Sequence, residues 1–379
     1  MSIVSTPVNA ASDLDVLPSD VEIDLRHTVR DLLADRCTPD AVTAMYDGDR
    51  SVVEPLWRAL AVDLGLAGLL VPEELGGAGA SAVEAAAVLE ELGRAAAPVP
   101  FLTSSVVATT ALLACVENDV ARKTITAMAE GELTAALVVP LSTAPEGDLP
   151  NFNAIDGRVT GSARSVAGAL ESDVLVVPVQ TIDGVVLYVV EQSAATITPV
   201  VSLDMGRQVA DVTLHGAPGH LVLTDGDAVI QSALLAGAGL LASEQVGIAR
   251  WCLEETVAYL KVRKQFGRVV GGFQALKHRF ADLYAEVESA SAAARYAAAA
   301  LAAGTDVPIA VRVAAAYCSD IAVHAGEEAV QLHGGIGMTW EHPTHLYLKK
   351  AKADQIAFGT AGAHRAALAG VIDLRLAEA

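Results

Sequence analysis

The period of the apolar positions changes twice along this chain. From about Val21 to Leu133 it is helical. Leu56, Trp57, Leu60 and Leu64 recur at three- and four-residue spacing and predict a core-facing helix, with Pro55 in its first turn, where a missing N–H costs nothing. In Leu69-Leu70-Val71-Pro72-Glu73-Glu74-Leu75-Gly76-Gly77-Ala78-Gly79 the proline and three glycines break the helix. Ser81 with Glu84 then reads as a capping box. It opens a helix that runs through Glu90-Glu91-Leu92-Gly93-Arg94 and stops before Pro98 and Pro100.

From about Thr134 to Thr224 short β-branched runs take over, at 138–139, 174–179, 185–190 and 212–214. Asp156-Gly157, Asp183-Gly184 and Pro218-Gly219 punctuate them, which predicts an antiparallel β domain of roughly 90 residues. Helical periodicity returns at Asp225. It predicts long helices over about 227–262, 272–302, 306–334 and 345–376, separated by Gly267, Gly271-Gly272, Gly304 and the Gly334 to Gly337 cluster. Four such helices with short links predict an antiparallel bundle. The fold class is therefore α+β in three domains: an N-terminal helical domain (1–133), a middle β domain (134–225) and a C-terminal helical bundle (226–379).

The 379 residues are 53% hydrophobic but only 4% aromatic, so Ala, Val and Leu must build the core. A net charge of −21 argues against nucleic acid or an anionic membrane as partner. It also requires any anionic ligand to be held by local cations or backbone N–H groups. No apolar run reaches the ~18–20 residues of a membrane span. The most apolar stretch, 234–242, is interrupted by Gly237 and Gly239 and reads as a buried helix. The N-terminus has no basic region followed by an apolar stretch, so no secretory signal is expected, and the first ~20 residues read as a polar lead-in. Cys37, Cys115, Cys252 and Cys318 are far apart, which predicts free thiols in a reducing cytoplasm. His333, His342 and His345 are close in sequence, but no Cys or carboxylate completes a set at ligand spacing, so no metal is expected.

Several motifs stand in a fixed order. The first domain carries Gly68-Leu69-Leu70-Val71-Pro72-Glu73-Glu74-Leu75-Gly76-Gly77 and Glu91-Leu92-Gly93-Arg94 with Pro98. The last carries Tyr259, Arg263, Gln265-Phe266-Gly267 and Phe273-Gln274, then Gln331-Leu332-His333-Gly334-Gly335-Ile336-Gly337-Met338, Glu341-His342-Pro343 and Ile356-Ala357-Phe358-Gly359-Thr360. This set resembles the acyl-CoA dehydrogenases over most of the chain. The resemblance implies their fold, FAD as cofactor, an acyl-CoA thioester as substrate and electron-transfer flavoprotein as acceptor. Physical chemistry is compatible with a nucleotide site. Arg263 is a permanent cation able to grip a pyrophosphate. Gly334 and Gly335 allow close backbone approach, and Gln274 and Gln331 can donate and accept. The resemblance assigns Arg263, Gln265, Phe266, Gln274, Gln331, Gly334 and Gly335 to the ADP half of an FAD whose flavin ring sits in a neighbouring subunit.

The departures from the family are as informative. Where its members usually carry the glutamate that removes the substrate α-proton, this chain has Phe358, which cannot accept a proton. The alternative base position on an earlier helix falls at Gly237, and the arginine that often follows it is Ala238. The family's flavin-ring loop is replaced by Leu141-Ser142-Thr143-Ala144-Pro145-Glu146-Gly147-Asp148, and Ser165 and Ala167 stand where a Trp and a Thr usually flank the ring. The losses fall on the half-site a subunit builds for itself, and the retained residues on the half it offers a neighbour. The resemblance then implies the base-lacking, non-catalytic partner in an α2β2 heterotetramer with a homologous subunit that carries the Glu base. Such pairs occur in actinobacterial degradation of steroid side chains. Two rivals stay open: a homotetrameric dehydrogenase using Asp354 or Glu244 as base, and a flavin-free scaffold.

Overall fold

The computed structural model describes residues 14–374. Most of the polar lead-in and the end of the last expected helix lie outside them. The first part contains α1 (Asp20–Arg36), α2 (Pro39–Ala44), α3 (Val53–Arg58), α4 (Ala82–Arg94), α5 (Thr109–Leu113) and α6 (Asp119–Ala129). Capping boxes open α1 at Ser19/Glu22 and α4 at Ser81/Glu84, each satisfying backbone N–H groups that the helix leaves free. The helix expected around Pro55 is α3, with Pro55 at its third position, followed by a π turn over Ala59–Asp63. Leu56 and Leu60 are buried as their spacing requires, and Trp57 and Leu64 pack partly against them.

Seven strands then form one sheet: β1 (Ala135–Leu137), β2 (Phe152–Ile155), β3 (Arg158–Ala167), β4 (Val174–Thr181), β5 (Gly184–Glu191), β6 (Thr196–Pro199) and β7 (Val209–Leu223). The order is β1-β4-β5-β7-β3-β2, with β6 pairing β7. All pairings are antiparallel except β1 with β4, so the expected purely antiparallel domain is corrected at that edge. The β2–β3 excursion between β1 and β4 is long enough to return the chain in the same direction, as a parallel pairing requires.

The last part holds α7 (Asp227–Val262), the two-residue strands β8 (Lys264–Gln265) and β9 (Arg268–Val269), α8 (Gln274–Ala303), α9 (Val307–His333), α10 (Thr344–Asp354) and α11 (Ala361–Val371). The expected fourth bundle helix is thus two helices. Between them Phe358 (φ 54°) and Gly359 (φ 105°) take left-handed backbone conformations, and the Thr360 side chain caps α11. The turn carries Phe358 into the interior.

Helix α7 packs against α4 without intervening side chains. A Cβ on Gly93 would lie 2.0 Å from Glu244 O, and one on Gly247 1.9 Å from Glu90 O, so both positions require glycine. Around this crossing Arg26 and Arg250 pair with Glu90, and Arg30 with Glu91. The main core spans both helical parts, and a second lies within the sheet around Phe152, Val159 and Val212. Two helical stretches, Asp227–Val262 and Val307–Met338, contain windows long and apolar enough to cross a bilayer, but 89% and 61% of those windows are buried inside the fold.

Candidate functional site

Phe358 is only 4% exposed, and its N–H donates to Leu141 O at 2.7 Å. A Cβ on Gly237 would lie 2.9 Å from Phe358 Cζ and 2.9 Å from Val107 Cγ2. The two positions where the resemblance places a base are therefore neighbours in space. A phenyl ring fills the gap, and the missing side chain at 237 makes room for it. Ala238 beside them is buried and carries no charge.

The expected flavin-ring elements converge on the same point. Leu141 N–H donates to Ser165 O (2.9 Å), and Ser165, itself at φ 53°, donates its N–H to Asp211 Oδ1 (2.9 Å). Next to them Thr103, Val107, Leu141, Ala167 and Phe358 line a partly open apolar pocket of about 20 Å3, room for roughly one water. The loop is also tied to the bundle. Glu146 pairs with the buried Arg312 of α9 and accepts from Gln231 Nε2 of α7 at 3.1 Å.

Glu244 and Asp354, the alternative bases, are each 1% exposed. Arg207 bridges both, Lys350 Nζ lies 2.6 Å from Glu244, and Asp204 lies 3.7 Å from the same ammonium. The cluster holds two cations and three carboxyls, so one carboxyl is in surplus. Burial pushes Asp354 up to about 6 against the pull of Arg207 and Lys350. Burial also raises Glu244, but Arg207 and Lys350 outweigh it and hold that carboxyl below its ordinary value. Both carboxyls are thus buried and engaged in ion pairs with Arg207 and Lys350.

The other expected residues sit at the far end of the bundle, where α7 ends, α8 begins and α9 ends. Arg279 of α8 pairs with Glu328 of α9 at 2.5 Å, which sets Gln274 and Gln331 at adjacent helix ends. Tyr259 of α7 stacks on His333 of α9 with ring centroids 4.5 Å apart. This places the exit of α7, and so Arg263, beside Gly334 and Gly335. A Cβ on either glycine would meet nothing within 4 Å, so the turn faces open space into which a ligand can approach. Arg263, Gln265, Gln274 and Gln331 are exposed, and the Arg263 side chain has no ion pair or hydrogen bond among the described residues. Lys261, Lys264, Arg268 and Lys277 add exposed positive charge to this end of an otherwise acidic protein.

Phe266 and Gly267 form the tip of the β8–β9 hairpin, both left-handed (φ 51° and 73°), as a type I′ turn demands. Phe266 is 89% exposed. Its ring makes an edge-to-face contact with Phe273 (centroids 6.2 Å apart) and otherwise faces solvent at positive φ, which fits a side chain that packs against another molecule. Sequence reasoning missed Arg207, Lys350 and Arg312, because most of their carboxylate partners lie on other elements; Lys350 alone also faces one, Asp354, on its own helix.

Residues 19–132 match the model of the acyl-CoA dehydrogenase N-terminal domain, and residues 224–372 that of the C-terminal domain. The chain is 38% identical over 329 residues to the acyl-CoA dehydrogenase IpdE2 of Mycobacterium tuberculosis, across 86% of this chain and 89% of that one. Its fold is similar to that of a chain in the ChsE4-ChsE5 complex from Mycobacterium tuberculosis (TM-score 0.84, 25% identity, 96% of this chain and 100% of that one). It is similar also to a chain in a variant of the Tcur3481-Tcur3483 steroid ACAD (TM-score 0.82, 28% identity, 93% and 98%).

Proposed function

The chain belongs to the acyl-CoA dehydrogenase family, oxidoreductases acting on CH–CH bonds, and from that premise we propose that it is the non-catalytic partner in an α2β2 heterotetramer. The observation that carries this reading is the Phe358 ring seated against Gly237. Both base positions and the flavin-ring cavity are filled from within, while the Arg263 end of the bundle is open and cationic. The partner is a homologous subunit bearing the glutamate base and the flavin-ring pocket. This chain contributes Arg263, Gln265, Phe266, Gln274, Gln331, Gly334 and Gly335 to the ADP half of the FAD bound there. FAD, when bound, supplies the two-electron acceptor for α,β-dehydrogenation of an acyl-CoA.

Within that reaction this chain's work is binding. Arg263 would neutralise pyrophosphate charge with its planar donors, and the Gly334-Gly335 backbone would approach without steric hindrance. The proton at Cα leaves to the partner's base. Steroid side-chain or other lipid-derived acyl-CoA is the substrate class favoured by the likeness to steroid ACAD assemblies, the cytoplasm the compartment, and electron-transfer flavoprotein the acceptor. The rival with its own base finds no support in Glu244 or Asp354, both bound up in ion pairs. The test is Arg263→Ala in the co-expressed heteromer. Loss of at least tenfold in FAD affinity, with assembly retained, is expected, and full flavin retention contradicts the proposal.

A further inference from the structure

One cluster of metal-ligating side chains lies outside both half-sites' proposed chemistry. Glu255 on α7, His333 at the end of α9 and His342 just before α10 bring one carboxylate oxygen and two ring nitrogens within 4.8 Å of one another. None of the three is hydrogen-bonded to another among the described residues. The sequence offers two of these ligands close together, and the fold supplies the missing carboxylate from a distant helix. We propose that Glu255, His333 and His342 form a site for a divalent first-row transition ion, zinc above all, beneath the Gly334-Gly335 turn.

The geometry of His333 carries the argument. It is 3% exposed, and its Nδ1 lies 2.7 Å from Ala329 O. A carbonyl only accepts, so Nδ1 carries the proton and Nε2 presents its lone pair. That Nε2 is buried and has no hydrogen-bond partner. A metal-bound histidine is oriented in this way, with its far N–H on a backbone carbonyl. A buried, unpaired acceptor otherwise costs about 1–3 kcal/mol. The His342 ring centroid lies 4.2 Å from that of His333. Thr344 Oγ1 donates to Gly337 O (3.1 Å) and can accept from His342 Nδ1–H at 3.3 Å; in that tautomer, in place of the one in which Nδ1 accepts from Thr344 N–H at 3.4 Å, Nε2 presents its lone pair to the ion. Glu255 and His342 are half-buried, so the site opens to solvent and a water can complete four ligands. Zinc holds such ligands at ~2.0–2.2 Å, which sets tetrahedral donors roughly 3.3–3.5 Å apart. The donor atoms lie within 4.8 Å of one another, so binding would draw them together by up to about 1.5 Å. Two imidazoles and one carboxylate suit zinc rather than calcium or magnesium. The ion would brace the junction of α7, α9 and α10 that presents Gly334 and Gly335.

The experiment is equilibrium dialysis of the full, tag-free chain against Zn2+ with elemental analysis, alongside E255Q and H342A. Their half-buried positions spare the fold more than a change at His333. One zinc per chain is expected, with affinity at least tenfold weaker in each variant and a zinc-dependent rise in melting temperature for wild type only. Cobalt substitution should give the visible bands of a tetrahedral N/O site. Substoichiometric zinc, uptake unchanged in both variants, or a thiolate-to-cobalt band that marks a cysteine site overturns the proposal. None of these readouts depends on flavin or on a partner.

Discussion

If the Phe358 ring occupies the place of the missing base, Phe358 and Gly237 must be energetically coupled. Gly237→Ala puts a methyl 2.9 Å from Cζ and 3.0 Å from Cε1 of a buried ring. Overpacking of this kind costs about 1–3 kcal/mol. Alanine gains about 1 kcal/mol over glycine inside a helix, so G237A alone should destabilise by about 0–2 kcal/mol. Phe358→Ala removes the ring and leaves a cavity, at about 3–5 kcal/mol. In the F358A background the ring contact is gone and only Val107 Cγ2, at 2.9 Å, still opposes the methyl, so G237A should cost about 1–3 kcal/mol less there than in wild type. Contact with Val107 is common to both backgrounds, so the cycle isolates the ring contact, with a coupling of about 1–3 kcal/mol. Urea unfolding of the four proteins at one fixed protomer concentration measures it, because assembly adds to apparent stability. Additivity within about 0.3–0.5 kcal/mol would refute the plug.

Two further perturbations address the buried ion cluster. Arg207→Met leaves Glu244 and Asp354 short of a cation and should cost about 3–5 kcal/mol; a loss under about 1 kcal/mol in thermal or urea unfolding would count against a structural role. Asp354 is raised by burial to about 6 in the fold, against ~3.9 unfolded. Its stabilising contribution is therefore complete at low pH and is lost as pH rises through 6. Asn mimics the protonated acid, so D354N should gain on wild type by on the order of 1–3 kcal/mol between about pH 4 and pH 8. A flat difference across that range would contradict the assignment.

Features written locally were legible in the sequence. The Ser81/Glu84 capping box, the span of α7 and the β-branched strands β4 and β5 follow from caps and periods that neighbours in the chain define. That Phe358 and Gly237 stand where the resemblance places a base was visible too, though not that the two positions touch. What escaped depends on distant pairing. Strands β2 and β6 are short edge pieces with little apolar alternation. The break at 355–360 contains no proline, and its left-handed Phe358 is held by a hydrogen bond to Leu141, far away in the chain. Arg207 and Lys350 look like ordinary surface cations until the fold buries them beside three carboxyls. Glu255 joins His333 and His342 only because α7 and α9 end together.

The most direct measurement of the central claim is the flavin absorbance and stoichiometry of the purified chain, first alone and then co-expressed with a homologous subunit that carries the glutamate base. The account predicts a colourless chain alone and a yellow complex with one FAD for every two chains. A yellow chain on its own, at one FAD per chain, would contradict it.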